Sequence, residues 1–261
     1  MWFDRATLGR TGISVGRLGL ASSYGAPAEA VAKAFDHGVN YFYWGSLRRN
    51  SFGDGLRALA PQRDRFLLVT QSYSRLASLV GPSLERALRA LHFDYTDVLL
   101  LGLWNAPPPP RILDACRKLR ERGLVRYLAV STHKRSLIAS LALDPQFDIF
   151  HVRYNAVHRG AEREVFSQLP AQNPPGLVSF TATSWRQLLG HARIPPGEKV
   201  PTAADCYRFV LTQPAVNVCM TGPANAGQLD QALAALRLGP MRDAELAWMR
   251  RVGDAIYAKP R

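Results

Sequence analysis

Val98-Leu99-Leu100-Leu101, then Arg111-Ile112-Leu113-Asp114-Ala115-Cys116-Arg117-Lys118-Leu119-Arg120-Glu121-Arg122-Gly123, then Val125-Arg126-Tyr127-Leu128-Ala129-Val130 is the stretch that decides the fold. An uninterrupted apolar run suits a strand buried on both faces. The middle segment mixes apolar and charged residues at helical spacing and closes on a glycine. A second apolar run follows at once. Strand, helix and strand of these lengths make one parallel βαβ unit.

The same alternation runs outward in both directions. Strands are expected at 17–21, 41–43, 66–70, 98–101, 125–130, 147–153, 177–181 and 216–220. Helices are expected at 27–37, 79–91, 111–122, 137–143, 161–169, 202–212 and 226–236, with a last one at 243–257. A small hairpin over 8–15, turning at Thr11-Gly12, precedes the first of these strands. Eight such units in 261 residues match the size of a (β/α)8 barrel, with a doubly wound sheet as the alternative. No linker interrupts the pattern, so residues 1–261 are read as one domain. The fold class expected is an α/β (β/α)8 TIM barrel with an N-terminal β-hairpin and an extra C-terminal helix.

Composition narrows the function. The chain is 47% apolar and 20% charged, which is ordinary globular composition. Its 33 basic residues outnumber 20 acids, for a net charge of +13. Of these, 28 are arginine and only five are lysine (Lys33, Lys118, Lys134, Lys199 and Lys259). The arginines are scattered, not gathered on one face, so no nucleic-acid partner is expected. No apolar run reaches the ~20 residues of a membrane helix, so no membrane partner is expected. Cys116, Cys206 and Cys219 form an odd, sparse set without CxxC spacing, which points to reduced thiols and a cytoplasmic location. Cys206 and Cys219 sit in apolar runs and read as core.

A family resemblance follows from motifs in order along the chain. Leu8-Gly9-Arg10-Thr11-Gly12-Ile13-Ser14-Val15 with Arg17-Leu18-Gly19-Leu20 resembles the opening of the aldo-keto reductases. So do Gly38-Val39-Asn40-Tyr41-Phe42, Asp94-Tyr95-Thr96-Asp97-Val98, Gly123-Leu124-Val125-Arg126, Ala129-Val130-Ser131 and Arg153-Tyr154-Asn155. The resemblance implies a (β/α)8 barrel and NADPH-dependent carbonyl reduction by an aspartate, a tyrosine, a lysine and a histidine at strand ends. At the corresponding positions this chain carries Tyr43, Arg48, Gln71 and Gly102. The scarcity of lysine agrees with that reading. The resemblance also implies a cofactor site, matched by Ser131, Thr132, Phe180 and Gly222, while His151 stands at its strand-six glutamine. Taken without the resemblance, the residues require no cofactor; NADP is the one it implies, on a site matched in part.

Barrel chemistry sits at the C-terminal ends of strands. Tyr43, His133 and His151 are the expected catalytic residues there. Tyr24, Trp44, Arg48, Gln71, Trp104, Asn155 and Trp185 are the expected substrate contacts, for a small aromatic or anionic molecule. Few carboxylates fall in this set, and the spacing of His133, His151 and His158 is no ligand motif, so no metal is expected. Three functions are compatible. The first choice is acid–base chemistry of lyase or isomerase type. The second is a non-catalytic ligand-binding or partner subunit. The third is an NADPH-dependent carbonyl oxidoreductase with a relocated proton donor.

Overall fold

The computed structural model describes residues 3–45 and 49–258. It is a closed barrel of eight parallel strands: β3 (Leu18–Ala21), β4 (Tyr41–Trp44), β5 (Leu67–Ser72), β6 (Thr96–Leu101), β7 (Val125–Thr132), β8 (Ile149–Arg153), β9 (Gly176–Phe180) and β10 (Val218–Thr221). β10 pairs with both β9 and β3, which closes the ring. Helices α1 (Ala28–Asp36), α2 (Asn50–Ala58), α3 (Ala77–Leu91), α4 (Pro110–Glu121), α5 (Arg135–Leu141), α6 (Ala161–Glu164), α7 (Ala203–Thr212) and α8 (Ala226–Leu238) connect the strands, and α9 (Asp243–Ala258) follows. The barrel and its extra helix are those expected.

Side chains alternate along each strand, so the barrel has two apolar layers. The inner layer holds Tyr41, Leu67, Val69, Val98, Leu100, Ala129, Ile149, Val178 and Val218. Leu8 and Val15 join it, because the hairpin of β1 (Ala6–Thr7) and β2 (Ser14–Val15) covers one end of the barrel. The outer layer, between strands and helices, holds Phe42, Trp44, Leu68, Leu99, Val130, Phe150 and Leu177. All three cysteines are free and buried.

Two polar devices brace the end opposite the mouth. Asp97, almost fully buried, accepts from Arg63 at 2.6 Å, from Arg126 at 3.0 Å and from the Leu68 amide at 2.8 Å. Asp148 takes the Leu128 amide at 2.8 Å and pairs with Arg120. Burial raises the Asp148 carboxyl, against the pull of these partners.

Candidate active site

The open end of the barrel holds a cleft of about 740 Å³. Its floor comes from inward-facing strand residues. On β4 the parity that points Tyr41 inward also points Tyr43 inward, one layer nearer the mouth. On β8 it selects His151, beyond Ile149. The Tyr41 hydroxyl lies 2.8 Å from His151 Nε2. Both side chains are buried. Burial pushes the Tyr41 hydroxyl up and the His151 imidazole down to about 3. His151 is therefore neutral at physiological pH, with Tyr41 at its Nε2.

Tyr43 donates its hydroxyl proton to Gln71 Oε1 and is hydrogen-bonded to Tyr73. Burial, first, and then Tyr73 raise the Tyr43 pKa well above the usual phenol range. Gln71 and Tyr73 lie over Gly102, just beyond β6. A Cβ there would stand 2.2 Å from Gln71 Nε2 and 2.7 Å from the Tyr73 ring.

The Gly102–Trp104 turn is clamped from several sides. The Leu103 amide donates to Ser131 Oγ at 3.0 Å, and the Trp104 amide to the Ser131 carbonyl at 3.0 Å. The Arg75 guanidinium donates to the carbonyls of Gly102 and Leu103 and stacks 3.9 Å from the Trp104 ring centroid. The clamp holds Leu103 in the left-handed region at φ 52° and turns it into the cleft. Such backbone costs about 1–2 kcal/mol for a residue with a Cβ.

After β9 the chain uses left-handed backbone repeatedly, at Thr181, Ser184, Trp185 and Arg186. The Thr181 carbonyl accepts from Asn155 Nδ2 at 2.8 Å and from the Ser184 amide at 2.8 Å. This loop places Phe180, Trp185 and Arg186 on the cleft wall. The far wall is Thr221, Gly222, Pro223 and Ala224 with Gln228 and Gln231 of α8. The Tyr24 ring packs on Gly222, where a Cβ would stand 2.7 Å from it. Asn225 caps α8 by accepting the Gln228 amide at 3.0 Å. A second cavity, of about 420 Å³, is walled by His133, Arg153, Trp185 and Gln187.

The expected residues divide by strand parity and by loop. Tyr43, His151, Ser131, Phe180, Gly222, Tyr24, Gln71 and Trp185 line the main cleft. His133 lines the second cavity and meets Phe180 edge-on at 6.1 Å. Burial and then nearby Arg153 lower its pKa. Trp44 is not brought to the cleft: it faces outward into the helix layer, and its Nε1 donates to the Arg49 carbonyl at 3.1 Å. Trp104 also packs in the outer layer, beneath Arg75. Thr132 is buried and accepts the Lys134 amide at 2.9 Å. Asn155 is fully buried and serves the backbone, accepting the amides of Val157 at 3.0 Å and His158 at 2.8 Å. Arg48 lies outside the described residues. Among the described residues no three His, Cys, Asp or Glu side chains gather as a metal site would need. No helix among them is long and apolar enough to cross a membrane.

Leu103, Arg186 and Tyr207 line the cleft without having been anticipated. Leu103 and Arg186 depend on left-handed backbone at residues other than glycine, which leaves no composition signal. Tyr207 sits inside α7 and reaches Thr221 Oγ1 at 2.8 Å.

Comparison with known proteins places these observations. The model of the Aldo/keto reductase family matches residues 13–182. L-galactose dehydrogenase from Arabidopsis thaliana is 28% identical over 149 residues, which is 48% of this chain and 47% of that protein. The match thus spans about half the length of that relative. Aldo-keto reductase AKR11C1 from Bacillus halodurans superposes with a TM-score of 0.77 at 18% identity, over 95% of each chain. An aldo/keto reductase from Klebsiella pneumoniae, solved in complex with NADP and acetate, superposes with a TM-score of 0.76 at 22% identity, over 97% of this chain and 96% of that one. The two structures share the barrel, and the family model covers more than half of the sequence: this chain belongs to the aldo/keto reductase family.

Proposed function

We propose that this chain is an NADP-dependent carbonyl oxidoreductase in which Tyr43 is the proton donor. The observation that carries the reading is the reach of one cleft. It runs from Tyr43 and Gln71 on the barrel floor, past the Phe180 ring, to Gly222 and the first turns of α8. Its volume lies within the range of small-molecule and cofactor sites. Its lining fits a dinucleotide. Phe180 offers a flat apolar face, Ser131 and His151 offer polar groups beside it, and Arg186 supplies a cation. A bound NADPH would supply the hydride to a carbonyl carbon.

The chain's own part is the proton. Burial keeps the Tyr43 hydroxyl protonated across the physiological range. It can therefore donate to the carbonyl oxygen as negative charge develops there. Gln71 Oε1 holds that hydroxyl in place. Tyr73 touches Tyr43 and is 48% exposed, so it connects Tyr43 to bulk water for reprotonation.

Two observations favour this reading over the lyase- or isomerase-type chemistry that the sequence alone put first. The relatives are a dehydrogenase and reductases. The cleft also lacks a competent base for abstracting a carbon-bound proton. His151 binds a proton only near pH 3, and no aspartate, glutamate or lysine lines the cleft among the described residues.

Titration with NADPH, followed by nicotinamide fluorescence, tests the first half of the proposal. Turnover of a panel of aldehydes and ketones, followed by NADPH absorbance, tests the second. Tyr43→Phe should lower kcat by ~10²-fold or more and leave the NADPH Kd unchanged. A flat titration, or full turnover by Tyr43→Phe, overturns the reading.

A further inference from the structure

We propose that Tyr41 is a positioning residue that holds His151 with its proton on Nδ1, so that His151 and Ser131 form a pair of hydrogen-bond donors on the cleft floor, a site for the oxygen of an uncharged carbonyl group. Calling that group part of a cofactor or substrate rests on the oxidoreductase reading; the tautomer and the donor pair do not.

The phenolic proton of Tyr41 has one place to go. Its ring is fully buried in the apolar inner layer with Leu67, Val98 and Ile149. A buried hydroxyl proton without an acceptor is costly. Among the described residues the Tyr41 hydroxyl makes one hydrogen bond, to His151 Nε2 at 2.8 Å. Tyr41 therefore donates and Nε2 accepts. A neutral imidazole has one N–H and one bare nitrogen, so the proton sits on Nδ1. The opposite arrangement, with Nε2–H directed at the Tyr41 oxygen, would strand the phenolic proton among aliphatic side chains.

A second donor stands beside the first. His151 is 4% exposed and Ser131 6%, and both line the cleft. They are register partners on β8 and β7, so their side chains stand at one level, one strand spacing apart, on the same inward face. Ser131 Oγ accepts the Leu103 amide at 3.0 Å, which leaves its hydroxyl proton to give. Neither proton has a protein acceptor among the described residues. Two side chains, each more than nine-tenths buried, thus turn their donors to the cleft.

That pair selects its ligand by chemistry. One carbonyl oxygen has two lone pairs and can take both donors. An ammonium has no acceptor to offer them. A carboxylate would shed its water for two uncharged partners, which is costly at this depth.

The test uses the full chain with 15N-labelled histidine, and His151→Gln identifies the His151 signals. At neutral pH the parent should carry the proton on Nδ1 and show a bare Nε2; a proton on Nε2 overturns the proposal. Tyr41→Phe keeps the ring and removes the hydroxyl, so both nitrogen signals should move toward a mixture of tautomers. Acetophenone should shift the Nδ1 signal, and 1-phenylethylamine, the same body with an ammonium for the carbonyl, should not. Equal responses overturn the proposal. In a protein that binds NADPH, His151→Leu should weaken one constant roughly three- to tenfold, the worth of one neutral hydrogen bond. The NADPH Kd rises if the oxygen belongs to the cofactor, and the KM of an aldehyde alone rises if it belongs to the substrate; no change in either overturns the proposal. Tyr41→Phe should cost roughly two- to fivefold in the same constant, and nothing further once residue 151 is leucine. A Tyr41→Phe loss that persists in full in the His151→Leu background makes Tyr41 a packing residue and removes its positioning role. Should Tyr41→Phe fail to fold, the parent spectrum still decides the tautomer. The expected tautomer and acetophenone response in a protein that ignores NADPH would leave the donor pair standing and remove the oxidoreductase reading instead.

Discussion

Asn155→Ala separates a residue that touches a ligand from one that builds the site. Asn155 is fully buried, and its side chain spends its bonds on backbone. Oδ1 accepts the amides of Val157 at 3.0 Å and His158 at 2.8 Å, and Nδ2 donates to the Thr181 carbonyl at 2.8 Å. Alanine leaves the Val157 amide without a partner, while the His158 amide keeps the Asn155 carbonyl at 3.1 Å and the Thr181 carbonyl keeps the Ser184 amide at 2.8 Å. An orphaned buried backbone group costs about 1–3 kcal/mol, so the loss should be about 2 kcal/mol. For a chain of this size that lowers the melting temperature by ~4 °C. The same substitution removes one of the two bonds that hold the Thr181 carbonyl, at the first left-handed residue of the loop that carries Trp185 and Arg186, so ligand affinity in the cleft should fall as well. Differential scanning calorimetry and urea unfolding give the first quantity, and NADPH titration the second. Asn155→Asp keeps the acceptor but sets an oxygen against the Thr181 carbonyl, so it should recover no more than part of the loss. A variant that melts within a degree of the parent yet binds no ligand would refute the reasoning, because Asn155 would then be a direct contact.

His151 predicts a pH dependence. Folded His151 takes a proton only near pH 3, whereas the unfolded residue takes it near 6.5. Between those values the unfolded chain holds the extra proton, so this residue's contribution to stability falls as pH drops, by up to about 1.4 kcal/mol per unit. Urea unfolding at pH 7, 6 and 5 should show that slope reduced by one proton in His151→Gln; an unchanged slope means that His151 is protonated in the fold. Gly253→Ala should lose about 3 kcal/mol, since a Cβ there would stand 2.0 Å from the Ala156 carbonyl and α9 would have to lift away. A urea midpoint equal to the parent's would show that α9 does not seat on Ala156.

The barrel was legible because each strand is an apolar run and most helices carry an apolar stripe. α2 was not anticipated. Its Gly53 and Gly55 lower helix propensity, and the Phe52–Leu56 pair that anchors it is short for a periodic signal. At the mouth, choosing strand ends found most of the cleft, but ignoring parity admitted outward residues. Tyr43 and Ser131 face the cleft, while their neighbours Trp44 and Thr132 face the helices. The inner side of β4 could have been read from Tyr41 and Tyr43 alternating with Phe42 and Trp44. Asn155 and Leu103 could not. They lie in loops, where neither period applies and tertiary hydrogen bonds set direction.

Packing at Gly102 shows why the mouth residues must be considered together. The family resemblance implies a histidine at this strand end, a lysine at position 71 and an aspartate near position 43. Here Gln71 and Tyr73 fill the space above Gly102 so closely that any Cβ would meet the Gln71 amide nitrogen. An imidazole at 102 has no room while those two stand where they do. Moving Gln71 takes away the acceptor of the Tyr43 hydroxyl, and moving Tyr73 takes away its second partner. Tyr43 in turn rests on Gly45, where a Cβ would stand 2.6 Å from its ring. Tyr43, Gln71, Tyr73, Gly102 and Gly45 are thus fitted to one another. Restoring one family residue alone would break a contact without completing the family's arrangement. A glycine beneath each of two tyrosine rings therefore lets Tyr43, Gln71 and Tyr73 close into one hydrogen-bonded unit, which is lost as a unit when either glycine gains a side chain.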